Sequence, residues 1–162
     1  MISTYLKCQG GYSHFLMSNI TKIEHATYRM SIKDEKHVFL VGDLKRETNY
    51  PFIRDSRLEL IVCEYASYDD GLPHWHPHLD EYEIVTQGCI GYTDVKSGET
   101  TWFNKGDLSY IPRGVCVQRI VRIPSRTIAL KVPSGQEKKH CRQCVRDCSF
   151  RLEPFIEGNE NE

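Results

Sequence analysis

The sequence predicts an all-β protein, an antiparallel sandwich or barrel, and three observations carry that expectation. Between His37 and Pro133 the chain breaks into short segments rich in β-branched and aromatic residues. Turn signals separate these segments at close spacing. No helical segments alternate with them, as they would in a parallel sheet built from crossover units.

In chain order the expected strands are HVFLV (His37 to Val41), RLELIVCEYA (Arg57 to Ala66), YEIVT (Tyr82 to Thr86) and CIGYTDV (Cys89 to Val95). TTWF (Thr100 to Phe103), LSYI (Leu108 to Ile111), VCVQRIVRI (Val115 to Ile123) and TIALKV (Thr127 to Val132) follow. Turns fall at Asp69-Asp70-Gly71, Ser97-Gly98, Asn104-Lys105-Gly106 and Pro112-Arg113-Gly114. Residues 1–36 precede the strands as an arm whose pattern selects no single structure, with a polar, weakly helical stretch from Ser18 to Met30. After Pro133, Ser134 and Glu137 stand at capping-box spacing before a charged run with few β-branched residues, which predicts a short C-terminal helix to Cys148. The last six residues, EGNENE, read as a frayed acidic tail. The expected organisation is an arm over 1–36, a barrel over 37–133, and a helix with its tail over 134–162.

A chain of 162 residues suits one domain with a sizeable core. Its 21 Lys and Arg against 22 Asp and Glu leave a net charge of -1, so it lacks the basic footprint of a nucleic-acid binder. Hydrophobic residues at 40 % set it apart from disordered chains, and no apolar run approaches a membrane span. Met1 to Asn19 carries neither a basic nor an apolar leader region. A soluble, cytoplasmic protein is expected, with the seven cysteines as reduced thiols or metal ligands.

The densest chemistry is PHWHPHLDEYE, Pro73 to Glu83. His74, His76 and His78 alternate, so an extended backbone puts them on one face. Neutral imidazoles with a carboxylate suit a borderline divalent metal such as Fe, Zn, Mn or Ni. Two histidines and one carboxylate leave coordination positions open for water or substrate.

Here the sequence resembles the cupin superfamily, whose first motif is G-x5-H-x-H-x(3,4)-E-x6-G. His74, His76, Glu81 and Gly88 match its spacing, whereas the leading glycine falls at Tyr68. A second register, His76, His78 and Glu83, also satisfies the His and Glu spacing but puts Ile90 at the closing glycine. The second motif, G-x5-P-x-G-x2-H-x3-N, is met at Gly106, Pro112 and Gly114, while Val117 stands where the histidine belongs and Val121 where the asparagine does. The resemblance covers roughly Arg57 to Pro133. It implies a jelly-roll barrel, one divalent metal on His74, His76 and Glu81, a small-molecule ligand, and a homodimer.

It also implies that one ligand is missing, since that histidine completes the family's set. The metal then rests on three ligands, or His78, Cys116 or Gln118 substitutes, or the site is a plain pocket. Strand parity puts Cys116 and Gln118 on the face opposite Val117. Glu83 shares a face with Glu81 and is a candidate acid or base. Arg119 shares the face of Val117 and is the candidate anion clamp, and Tyr65 is a candidate pocket residue. His140-Cys141-x2-Cys144-x3-Cys148 suggests zinc, but on a helix Cys141 and Cys148 are about 10.5 Å apart along the axis. Cys141 with Cys144, or His140 with Cys144, can form half a second zinc site, or the cysteines form an apolar stripe. Cys8, Cys63, Cys89 and Cys116 read as buried thiols. The expected function is a metal-dependent enzyme acting on a small polar molecule, of dioxygenase, isomerase or lyase type. The alternative is a non-catalytic sugar or small-acid binder.

Overall fold

Alternation of apolar and polar side chains is realised most plainly in the strand Glu59–Tyr65, where Glu59, Ile61, Cys63 and Tyr65 turn inward and the residues between them do not. A computed structural model of the protein describes residues 21–135 and 137–140. In chain order, α1 (His25–Glu35) precedes β1 (His37–Val41), β2 (Glu59–Tyr65), β3 (His74–Trp75), β4 (Asp80–Gln87) and β5 (Cys89–Asp94). Then come β6 (Thr100–Asn104), β7 (Leu108–Ile111), β8 (Val117–Val121), β9 (Ser125–Val132) and β10 (Lys139–His140). They form two five-stranded antiparallel sheets, β1-β2-β9-β4-β7 and β10-β3-β8-β5-β6. From β2 onward the chain passes from sheet to sheet, pausing only at the β5–β6 hairpin, which is a jelly-roll path.

Part of the space between the sheets is packed with apolar side chains, of which Ile61, Cys63, Tyr65 and Ala129 also border a cavity. Ile61, Cys63, Tyr65, Val85 and Ala129 of the first sheet meet Ile90 and Val121 of the second. Burial of this set supplies the hydrophobic stabilisation that holds the sheets face to face. Elsewhere, inward positions carry His74, Glu59, Glu81 and Lys131 instead, and the cavity opens among them. The all-β expectation and all eight expected strands hold, within one to two residues at most ends.

The expected C-terminal helix is not formed in its described part. The helix among the described residues is α1, in the arm, overlapping the weakly helical stretch. It ends at Lys36 in a left-handed conformation, φ 64°, whose N–H bonds to the Ile32 carbonyl. Ile32 packs under it against Val38 and Tyr50. At the C-terminal side, the described part of the expected helix is extended, and Lys139–His140 is strand β10. The reason is visible at Ser134. Its hydroxyl accepts the Asp43 N–H at 2.9 Å and donates to Glu59 Oε1 at 3.4 Å, while the Gly135 N–H donates to the same carboxylate at 3.1 Å. Tertiary partners consume the groups that a capping box needs. The remainder of that segment, with Cys141, Cys144, Cys148 and the acidic tail, lies outside the described residues, as does Cys8.

Both ends of the first motif meet a backbone requirement. Gly88 has φ +79°, and a Cβ there lies 2.6 Å from the Pro124 carbonyl oxygen. Tyr68, at the leading-glycine position, also takes a left-handed backbone, φ 58°, so the conformation persists without the glycine. Gly88→Ala is expected to cost about 2–4 kcal/mol of stability, because backbone atoms must move and a left-handed φ must hold a side chain. Urea denaturation of the variant measures it; an unchanged midpoint overturns the assignment.

Candidate metal centre

His74 lies in β3, held between β8 and β10, which fixes its face: it projects inward beside Val117. His76 follows just past the strand, and Glu81 lies in β4 on the opposite sheet. Their ligand atoms come within 4.8 Å of one another, close to the span of two bonds of about 2.1 Å to a common ion. His74 and His76 are 6 % and 4 % exposed, and their rings meet edge to face at 5.5 Å.

The protons of these rings are assigned by their partners. Nδ1 of His74 donates to the Leu72 carbonyl at 3.0 Å, and Nδ1 of His76 donates to the Glu137 carbonyl at 2.7 Å. A carbonyl can only accept, so in each neutral imidazole Nε2 carries the lone pair. Nε2 of His76 is buried without a hydrogen-bond partner and faces Oε2 of Glu81 at 3.2 Å. Either a proton on Nε2 or a cation between the two groups relieves that opposition, and the donor set of two imidazoles and a carboxylate suits a first-row divalent ion. The residues therefore fit a metal. Burial, then Lys138, lowers the His74 pKa to about 3, so His74 is neutral at physiological pH. Burial alone raises Glu81, but Lys131 and the two histidines outweigh it and hold the carboxyl well below its usual range. Glu81 is ionised, as a ligand must be.

The alternative register, His76, His78 and Glu83, is not brought together in space. The His78 side chain is 78 % exposed and reaches Glu137 at 3.6 Å, outside the barrel, because Pro77 and the following turn direct it away. Val117 is buried on the face of His74, in register with it. Gln118 points to the opposite face, as parity requires, and Cys116, though buried, is not part of the cluster. Glu83 is 2 % exposed, accepts the hydroxyls of Tyr92 and Thr127, and stands behind the cavity wall that Tyr92 forms. Burial, then the charge of Glu81, raises its pKa.

The cavity has a volume of about 730 Å³ and exposes His74 and Glu81. Arg119 and Tyr65 both line it, and they touch: the guanidinium lies 3.9 Å above the phenol ring. Arg119 Nε is buried with no partner. Lys131 of β9 sits between Glu59 of β2 and Glu81 of β4 in cross-strand register. Sequence reasoning missed Glu59, Lys131 and His37, each an inward position on a strand it did place; alternation along β1, β2 and β9 was the available signal. Burial, then Arg119, lowers His37 to about 4. Cys63 is buried and its thiol is pushed up to about 12, which makes it inert at neutral pH.

No family model matches the chain, and no curated protein matches it. Solved structures do. The DMSP lyases RdDddP and RnDddQII align over 65 % of this chain and 52 % of theirs, with 15 % identity and a TM-score of 0.54. A protein with a double-stranded β-helix domain from Klebsiella pneumoniae aligns over 60 % of this chain and 90 % of its own, at 16 % identity and a TM-score of 0.51. An RmlC-like cupin from Shewanella frigidimarina aligns over 51 % and 71 %, with 17 % identity and a TM-score of 0.46. The jelly roll of this chain is thus the fold of the double-stranded β-helix domain it aligns with. At these identities the likeness concerns the fold, and the chemistry rests on the residues.

Proposed function

We propose that the chain is a metal-dependent cupin enzyme acting on a small anionic molecule, with its ion on His74, His76 and Glu81. The observation that carries this reading is the commitment of both Nδ1–H groups to backbone carbonyls, which turns two Nε2 lone pairs toward one ionised carboxylate. A divalent ion (Fe, Zn, Mn or Ni) supplies Lewis-acid or oxygen-binding chemistry when bound. Arg46, Arg119, Lys131 and Lys138 line the cavity beside Glu35, Glu47, Glu59 and Glu81, so its wall carries both signs, and the buried, unpartnered Nε of Arg119 is the donor it offers a ligand carboxylate or phosphate. Tyr92 lines the same cavity with its hydroxyl on Glu83, so a proton can pass between ligand and buried carboxyl through one side chain.

The absence of a histidine at Val117 favours a second reading, a non-catalytic binder of small acids in the same cavity. One experiment separates them. Protein purified without a metal-affinity tag is analysed for metal, then incubated with small hydroxy and keto acids and sugar phosphates, metal-loaded or chelated. Metal near one ion per chain and conversion that chelation abolishes support the enzyme. Thermal stabilisation by a ligand without conversion supports the binder. Protein that neither carries nor takes up metal overturns the metal reading.

A further inference from the structure

The C-terminal segment reaches the metal centre twice. The Glu137 carbonyl fixes the tautomer of His76, and β10 then pairs with β3 so that His140 stands directly across from His74. Directly paired residues of an antiparallel ladder project from the same face. One row of the sheet therefore reads His140, His74, Val117, Asp94, across β10, β3, β8 and β5. Lys138, two residues before His140 and so on the same face, lines the cavity. The rings of His140 and His74 have centroids 6.1 Å apart, against 5.5 Å between His74 and His76; His140 lies outside the group of ligand atoms within 4.8 Å of one another, so it joins by turning its side chain inward.

The second motif leaves one flank of His74 without its histidine, at Val117. The other flank carries His140. We infer that His140 is the fourth protein ligand of this centre, delivered by the strand added after the barrel rather than by β8. The inference rests on the metal reading of His74, His76 and Glu81. It assigns the segment after Pro133 a role in completing the site. The side chain is exposed and lies on a two-residue edge strand, so the last ligand arrives from the solvent side of the cluster.

Cobalt(II) is the probe, because its visible absorption reports coordination number and donor type while titration reports affinity. Apo protein without a tag is titrated as wild type, His140→Ala, Lys139→Ala, Val117→His and the double variant Val117→His with His140→Ala. The expected result is affinity lowered about 10- to 100-fold in His140→Ala, with weaker visible absorption as water replaces a nitrogen. Lys139→Ala, on the same strand but the opposite face, is expected to match wild type. Val117→His is expected to restore binding in the His140→Ala background and to add less in wild type, the coupling of two residues that serve one position.

Wild-type affinity and spectrum in His140→Ala overturn the inference and leave the metal reading intact, provided His76→Ala still loses cobalt. Equal losses in Lys139→Ala and His140→Ala overturn it as well, since the strand rather than the imidazole then matters. A wild-type protein that takes up no cobalt overturns both.

Discussion

His76→Ala is expected to abolish stoichiometric metal binding, with affinity lowered about 100-fold or more, while His78→Ala leaves it unchanged. The size follows from sharing the binding free energy of a multi-ligand site, about 10–16 kcal/mol for zinc, over its ligands. His76 is the pivotal member because its Nε2 is buried without a hydrogen-bond partner and faces Glu81 at 3.2 Å. Apo protein gains little from that arrangement, so the variant is expected to lose metal far more than apo stability. Elemental analysis of tag-free protein, with competition titration against a chelator of known affinity, measures the first; urea denaturation of the apo proteins measures the second. Retention of metal in His76→Ala and loss in His78→Ala would restore the register of His76, His78 and Glu83.

Strands were legible because their signal is local. HVFLV and LSYI occupy β1 and β7 residue for residue, and Pro112 and Gly114 preset the turn that sends β8 back under β3. Of the site, His74, His76 and Glu81 were legible from spacing, since His-x-His selects one face of an extended segment and Gly88 fixes where β4 ends. Arg119 followed from parity along β8, whereas Tyr65 was one of several strand aromatics that could line a pocket, and the two meet in the cavity. What stayed hidden was non-local. A backbone carbonyl has no letter in the sequence, so nothing announced that Glu137 orients His76. Ser134 and Glu137 satisfied a helix-start pattern, yet Glu59, more than seventy positions earlier, competes for the Ser134 hydroxyl. His140 stands beside the cysteines in sequence, whereas strand pairing places it beside His74. A local pattern yields to a buried polar group that must be hydrogen-bonded.

Glu81→Gln is expected to lower apo stability at pH 7 by about 3 kcal/mol, the cost of leaving a cation beside a lost charge partner in a partly buried row. Lys131 stands between Glu59 and Glu81 across three strands, and the carboxyl of Glu59 is itself raised by its burial. Of the two carboxylates beside Lys131, Glu81 is the one whose pKa is held down. Its folded pKa lies well below the unfolded value of about 4.3. A carboxyl depressed in this way contributes stability that is complete above the unfolded pKa and is lost as pH falls toward the folded one. The gap between wild type and Glu81→Gln should therefore be largest near neutrality and shrink as pH falls below about 4. Glu59 and Glu83, whose folded pKa values are raised, tilt the curve the opposite way, but both proteins contain them and the difference removes most of their effect. Urea denaturation of the apo proteins at several pH values between 7 and 3.5 provides the curve. A gap that does not change with pH would assign the loss to packing rather than to charge. A gap near zero at pH 7 would mean that Lys131 finds its countercharge in Glu59, and that the ionised member of the row has been misassigned.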